Sequence, residues 1–245
     1  MNKVTRRAFV TTVGVAVIPA SALLSTTSDA AAPGSPNAVD SAKATYLFFN
    51  AVELGFIEPA CERLIPADES GPGALAAGVP TYLDRQLGGA WGAGERLYRS
   101  GPWQPGTPTQ GYQLPFTPAE LFHVSLRAID RDLSAHGKSF AGLPADAQDD
   151  YLKSLEAGAL DLDGVPSAVF FDTLLKMSVE GFFSDPVYGG NRNMAAWRMI
   201  GFPGAYADYF EAVDRQGVKF DRQPMSLGEN AQGHIRPDPD VPANL

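Results

Sequence analysis

Residues 167–183 read Ser-Ala-Val-Phe-Phe-Asp-Thr-Leu-Leu-Lys-Met-Ser-Val-Glu-Gly-Phe-Phe, a stretch in which apolar side chains dominate. Their spacing predicts a helix over this range, with Phe170, Leu174 and Phe182 among its apolar residues. Such a helix is apolar on most of its faces, and a helix of that kind is stable only when its neighbours bury it. We therefore expect it to be the central helix of the domain.

A second helix is predicted from Pro118 to about Ala135. Thr117 and Glu120 have the spacing of a capping box, in which each side chain binds the backbone N–H of the other residue. Pro118 suits the first helical position, and Gly137 suits the end of the helix.

A third helix is predicted to begin after Asn50, because Asn50 and Glu53 repeat the capping-box spacing. Pro59 lies inside the apolar run that follows and should kink or divide this helix. Shorter helices are predicted for residues 80–87 and 145–156.

The domain organisation follows from these helices and from the segments between them. No stretch shows the sustained alternation of β-branched residues that is typical of strands, so we predict an all-α domain over residues 45–216. A linker rich in Pro, Ser and Ala, residues 33–44, precedes it. A polar, Pro-rich tail, residues 217–245, follows it and is either disordered or an arm that lies along another subunit.

A long irregular loop is predicted for residues 88–115, which are rich in Gly and Pro. Loops of this length inside a compact domain are usually functional. This one contains Trp91, Tyr98, Trp103 and Tyr112, and aromatic side chains favour docking to a partner over disorder.

The charge of the chain argues against some partners. Its formal net charge is -9, and residues 1–30 contain Lys3, Arg6, Arg7 and Asp29, so the remainder is near -11. No cluster of Lys and Arg occurs in that remainder, which makes nucleic acid and anionic membrane surfaces poor partners.

The N-terminus carries the pattern of an export signal. Thr5 precedes the pair Arg6 and Arg7, Phe9 follows two positions later, and a mildly apolar run extends to about Leu24. This is the pattern of a twin-arginine signal, and the apolar run is too short to be a comfortable membrane span. We therefore predict a signal peptide over residues 1–32 and export of an already folded protein.

Cys61 is the only cysteine, so it cannot form a bridge within the chain. It is either a small buried apolar residue or one half of a disulfide bond to a cysteine on a partner chain.

Catalytic and cofactor-binding motifs are not found in the sequence. There is no Gly-rich nucleotide-binding motif, no Gly-x-Ser-x-Gly elbow and no His-Glu-x-x-His. Glu120 and His123 form one Glu-x-x-His, a spacing that di-iron bundles use twice together with two further glutamates. Because Glu120 is already accounted for as a capping residue, we expect no catalytic, cofactor or metal site in this chain.

The most distinctive internal segment spans residues 180–204, Glu-Gly-Phe-Phe-Ser-Asp-Pro-Val-Tyr-Gly-Gly-Asn-Arg-Asn-Met-Ala-Ala-Trp-Arg-Met-Ile-Gly-Phe-Pro-Gly. Gly189, Gly190 and Asn191 permit positive φ angles after the central helix. Asn191 or Asn193 could cap a short helix in which Trp197 and Ile200 face inward. The segment is either a structural corner of the fold or an exposed surface of aromatic and backbone groups.

This segment, together with Leu64-Ile65-Pro66-Ala67-Asp68 and Pro72-Gly73-Ala74, resembles the small subunit (subunit 3, or gamma) of gluconate 2-dehydrogenase and related sugar dehydrogenases. The resemblance extends from about Phe49 to Phe210. It implies a non-catalytic subunit of a periplasmic complex that is held at the inner membrane. The partners it implies are a large FAD-containing dehydrogenase subunit, a multihaem cytochrome c subunit and the twin-arginine translocase. The small subunit would supply the export signal and act as a chaperone for the flavoprotein.

Large aromatic residues are favoured at interface hot spots, so Trp91, Trp103, Tyr188 and Trp197 are candidate anchors for the large subunit. The full set of predicted partner-interface residues is Trp91, Trp103, Tyr188, Gly189, Gly190, Asn191, Trp197, Phe202 and Pro203. Two alternatives remain at this stage: a free-standing exported helical enzyme, and a scaffold protein unrelated to a dehydrogenase.

Overall fold

The structure is a computed structural model, and it describes residues 45–104, 106–107, 110, 113–206, 214, 216–217 and 222–228. The predicted export signal with Arg6, Arg7 and Phe9, and the predicted linker, lie outside the described residues. They therefore remain predictions.

The described part of the chain is mainly helical. Its helices are α1 (Ala51–Leu64), α2 (Val79–Leu87), α3 (Pro118–Ala135), α4 (Ala145–Glu156), α5 (Ser167–Phe183) and α6 (Ala195–Ile200). Single 3-10 turns occur at Phe140–Gly142, Pro186–Tyr188 and Arg192–Met194. The predicted all-α class is confirmed, and none of the helices in this part is both long and apolar enough to cross a bilayer.

Helix α5 is the centre of the domain, as its composition predicts. It contacts each of the other five helices, and its Phe170 and Leu174 are fully buried. The ring of Phe170 lies 5.3 Å from that of Phe122 on α3 and 6.0 Å from that of Phe56 on α1. Phe56 in turn contacts Phe140 at 4.5 Å between ring centroids. Aromatic side chains bury large areas, so this cluster holds three helices around one core.

Both predicted capping boxes are present. At the start of α3 the Thr117 N–H donates to Glu120 at 2.7 Å and the Glu120 N–H donates to the Thr117 hydroxyl at 3.2 Å. Asn50 and Glu53 make the same reciprocal pair at the start of α1. Gly137, just beyond α3, has a φ of +66° and takes the left-handed conformation expected after a helix end.

Pro59 is predicted to kink or divide the first helix, and it does not divide it: α1 is one helix from Ala51 to Leu64. Proline removes one backbone hydrogen bond from a helix interior. Buried residues lie on both sides of it, Phe56 and Ile57 before and Ala60 and Cys61 after. Their packing against the core outweighs the lost bond, so the helix continues.

A small β-hairpin, which the sequence analysis did not predict, lies between two helices. Strands β1 (Asp161–Leu162) and β2 (Val165–Pro166) pair antiparallel, with Leu162 opposite Val165. Asp163 and Gly164 form the turn with φ angles of 57° and 89°. Asp-Gly is a strong signal for this kind of turn. The strands have only two residues each, so they give no alternation that could be recognised.

Part of the predicted tail lies on the domain itself. Residues 222–228 run beside the end of the 180–204 segment, where Met225 and Gly204 form a parallel bridge. This stretch of the tail contacts the domain, and the predicted alternative of an arm along another subunit stays a prediction. We call residues 222–228 the strap.

Candidate partner-binding surface

A cleft of about 910 Å³ lies between the irregular loop and the exposed side of α5. Its lining includes Trp91, Trp103 and Leu114 from the loop, and Val169, Thr173 and Met177 from α5. The structure therefore brings together two of the predicted anchors, Trp91 and Trp103. Such a cleft can accept apolar side chains from a partner, as hot-spot pockets do.

The charged residues of this cleft belong to α5. Lys176 donates to Asp172 at 2.6 Å, and both side chains are exposed, so this pair contributes little to stability. Glu180 also lines the cleft. Burial of the ring and, secondarily, the charge of Glu180 raise the pKa of Tyr82 to about 12, so this phenol stays protonated at neutral pH.

The segment after α5 forms the corner, residues 184–206, and two of its predicted partner-interface residues, Asn191 and Trp197, have structural roles. The Asn191 side chain is fully buried. Its amide donates to the Ser184 carbonyl at 2.9 Å, and its oxygen accepts from the Ala196 N–H at 2.9 Å. Asn191 therefore links the end of α5 to the start of α6. The N-cap residue of α6 is Met194 and not the predicted Asn191 or Asn193, although the Asn191 side chain accepts the Ala196 N–H in the first turn.

Trp197 is also inside the domain. Its ring is 5% exposed, and its indole N–H donates to the Phe183 carbonyl at 2.8 Å. A partner can therefore reach little of Trp197. Its ring instead supports Phe202, whose ring centroid lies 5.1 Å away in an edge-on arrangement.

Gly189 and Gly190 shape the backbone of the corner. Gly189 has a φ of +99°, which confirms the expected positive angle. A Cβ added to Gly190 would lie 2.0 Å from the Gly181 carbonyl oxygen, so only glycine fits this approach to α5. Both glycines position the turn, and no side chain of theirs is available to a partner.

Tyr188, Phe202 and Pro203 keep surface that a partner could contact, since the first two are exposed and Pro203 is half-buried. Val187 and Ile200 are exposed as well. The prediction that Ile200 faces inward is wrong, because the six-residue helix α6 buries Ala196 and Trp197 and leaves Ile200 outside. The cleft and the corner are separate surfaces: no residue of 184–206 lines the cleft.

The structure does not support an intersubunit disulfide bond at Cys61. The side chain is fully buried, with its Sγ atom 3.8 Å from the hydroxyl of Ser178. Burial raises the pKa of the Cys61 thiol to about 12. A thiol in this position can meet a cysteine on another chain only if the core opens. Burial therefore favours the small-buried-residue interpretation, and the disulfide bond stays a prediction.

Glu120 and His123 lie beside a smaller cleft of about 460 Å³, which Glu53 also lines. The His123 Nδ1 atom is 2.6 Å from a carboxylate oxygen of the buried Glu53, whose other oxygen accepts from the Asn50 N–H. Phe48 stacks on the imidazole ring at 4.3 Å. Within the described residues, no three His, Cys, Asp or Glu side chains form a group that could hold a metal ion. Sequence reasoning missed this pair because its members are 70 residues apart and Glu53 already had a role as a cap.

Fold and surface together define a class: a helical domain with an apolar cleft and with exposed apolar side chains at the corner. A sequence profile of the family described as gluconate 2-dehydrogenase subunit 3 matches residues 51–204, which is more than half of the chain. The chain therefore belongs to the gluconate 2-dehydrogenase subunit 3 family, whose name denotes one subunit of a dehydrogenase complex. Neither a curated protein nor a solved structure matches the chain.

Proposed function

We propose that this chain is the non-catalytic small subunit of a periplasmic, FAD-dependent dehydrogenase complex that oxidises gluconate or a related sugar or sugar acid. It helps the flavoprotein subunit to mature and takes it through the twin-arginine route. The family match over residues 51–204 carries this proposal, because it covers both the central helix and the corner.

The proposed maturation role has a simple thermodynamic basis. A subunit that binds only the folded flavoprotein stabilises that state by mass action. In this proposal FAD sits in the large subunit, electrons pass to a cytochrome c subunit that carries haem c, and the small subunit supplies binding surface alone.

The use of polar groups within the described residues supports a non-catalytic role. Glu53 and His123 bind each other, and Glu120 completes a helix cap. The carboxylate of Asp84 on α2 accepts backbone N–H groups from Leu47, Phe48 and Phe49. Each of these groups is engaged in holding the fold.

The export role rests on Arg6, Arg7 and Phe9 in the sequence. A twin-arginine signal suits a protein that is folded before it crosses the membrane. One signal can then serve two subunits if they associate first, and the complex stays at the inner membrane on the periplasmic side.

Co-purification tests this function. The full chain, carrying an affinity tag, is expressed in the cells from which it comes and is purified with the proteins bound to it. We expect a second subunit with a flavin absorption spectrum, and dye reduction by gluconate or a related sugar acid only when that subunit is present. If the isolated chain binds flavin or haem and oxidises such a substrate unaided, the chain is a free-standing enzyme. If no flavoprotein associates with it, the chain is a scaffold of another kind.

A further inference from the structure

Exposed apolar side chains are concentrated at the corner and the strap. Among the described residues, eleven large hydrophobic side chains are exposed, and five of them belong to these two short segments: Val187, Tyr188, Ile200, Phe202 and Leu227. Concentrated apolar surface of this kind marks interaction sites.

The strap is fixed to the corner by one buried carboxylate. Asp185 accepts the Ser226 hydroxyl at 2.6 Å and the Leu227 N–H at 2.8 Å, while the same carboxylate accepts the Val187 N–H at 3.0 Å. Asp185 therefore holds two stretches of the surface next to each other, although they are about forty residues apart in the chain.

Backbone contacts fix the other end of the strap. The Met225 N–H donates to the Pro203 carbonyl at 3.1 Å, and the Ala205 N–H donates to the Met225 carbonyl at 2.7 Å. Gly204 has a φ of +80°, and a Cβ at this position would lie 2.2 Å from the Met225 carbonyl oxygen. The turn at Gly204 is thus shaped to receive the strap.

The strap adds apolar surface to the outside of the domain. Leu227 is 62% exposed, although its own N–H is anchored to Asp185. Val187 is 45% exposed and lies close to Gly228, and Phe202 is 43% exposed above Trp197.

The charge of this surface is opposite to that of the whole chain. The corner carries Arg192 and Arg198, the strap carries Arg222, and the acidic side chain there, Asp185, is largely buried by its hydrogen bonds. The net charge of the chain is -9. A partner that covers this surface would complement it with an apolar centre and carboxylates around it.

We infer that the corner and the strap form one docking face, and that its occupant is the large flavoprotein subunit. That subunit binds through an apolar surface of its own that is bordered by acidic residues. This inference rests on the proposed function, since it assigns the face through which that subunit is held. It gives the strap a role in binding: Leu227 contributes a contact that the family-matched residues 51–204 do not contain.

A lipid surface fits the docking face less well than a protein partner does. Recognition of anionic headgroups generally uses clusters of about four to eight Lys and Arg. The described residues of the face carry three arginines, and the strong negative charge of the rest of the chain repels anionic lipid.

The test measures binding of purified variants of the full chain to the flavoprotein subunit. Leu227→Glu and Val187→Glu place a charge at exposed apolar sites, so each should weaken binding at least about tenfold, which is the scale of an interface contact. Leu47→Glu is the matched control, because Leu47 is 89% exposed but lies outside the corner and the strap, and it should bind like the wild type. Thermal unfolding of all three should match the wild type, since none of these side chains is buried.

The outcomes separate this inference from the function on which it rests. If the wild type binds the flavoprotein and both glutamate variants bind equally well, the docking face is wrong and the proposed function stands. If the wild type itself does not bind, the proposed function fails and the inference fails with it. If the full chain instead binds vesicles containing phosphatidylglycerol, and Leu227→Glu abolishes that binding, the occupant is lipid and the inference is overturned.

Discussion

Asn191, Glu53 and Asp84 show what buried polar side chains do in this domain. Asn191 joins two helix ends, Glu53 binds Asn50 and His123, and Asp84 holds the three residues that lead into α1. In each case a side chain satisfies backbone groups at the end of a helix or in the residues that lead into it. Buried residues of this kind keep the turns between helices in one conformation.

Replacing Asn191 with Ala should lower the free energy of unfolding by about 1–3 kcal/mol beyond any backbone strain, because the Ser184 carbonyl and the Ala196 N–H lose their buried partner. Asn193→Ala is a matched control, since Asn191 and Asn193 have φ angles of 45° and 56° and Ala meets similar backbone strain at both. Urea unfolding measures the difference. Equal stability of the two variants would contradict the linking role of Asn191.

The Cys61 thiol should not react with alkylating or disulfide reagents at neutral pH. It is buried, and its pKa of about 12 keeps it protonated, whereas the thiolate is the reactive form. In denaturant the same thiol should react completely, and mass spectrometry follows both reactions. Rapid labelling of the folded chain would show that the core around Cys61 opens readily.

At the scale of elements, α1 and α4 are joined by a two-pronged ion pair. The Arg63 guanidinium donates to both carboxylate oxygens of Asp149, at 2.7 and 2.6 Å. Both side chains are about one-third exposed, so solvent moderates the pair. The two hydrogen bonds nevertheless give a directional contact between the two helices.

Stability should fall in acid as this pair is lost. The hydrogen bonds from Arg63 hold the pKa of Asp149 below its ordinary value, so the carboxylate contributes stability above the unfolded pKa of about 4. That contribution disappears as the pH falls through the lower folded pKa. Glu120 acts in the same direction, because the Thr117 N–H lowers its pKa.

Between neutral pH and about pH 3, the melting temperature of Asp149→Asn should therefore fall less than that of the wild type. Asp150→Asn changes an exposed neighbour that pairs with Lys153 and should retain the full acid sensitivity. Calorimetry at several pH values gives the comparison. If the melting temperature depended on pH in the same way for Asp149→Asn and the wild type, this ion pair would not be a source of the acid sensitivity.

For the whole molecule, the export signal and the domain have different tasks. In the proposed function, the domain presents the cleft and the docking face, whereas Arg6 and Arg7 direct the chain to the translocase. Substituting both arginines with lysine keeps the charge and should leave the chain, and with it the flavoprotein, in the cytoplasm. Cell fractionation followed by immunoblotting measures the distribution of both subunits. Normal export of the double variant would refute the twin-arginine assignment and leave the docking face untouched.

The helices could be predicted from the sequence because their signals are local. The bounds of α3, α4 and α5 coincide with the predicted ones, since capping residues and apolar spacing lie within the segment itself. The family resemblance was likewise readable from the 180–204 segment, and the family profile ends at Gly204. The sequence identified Trp91 and Trp103 as candidate anchors in an irregular loop. It did not show the cleft that they line together with residues of α5.

What failed depended on residues far apart in the chain. Trp197 and Ile200 are three residues apart, so the helical pattern of α6 places both on one side. In the structure Trp197 is buried and its indole N–H donates to the Phe183 carbonyl, whereas Ile200 is exposed. The tail gave no apolar periodicity, so nothing local showed that Asp185 captures Ser226 and Leu227.

The sequence alone thus determined the helical class, the helix ends and the family, because each of these depends on residues that are close together in the chain. The tertiary structure decided which side chains are exposed, that Cys61 is enclosed, and that the strap lies beside Pro203 and Gly204. Burial and hydrogen bonding between distant segments are properties of the packed domain, and no short stretch of the chain contains them.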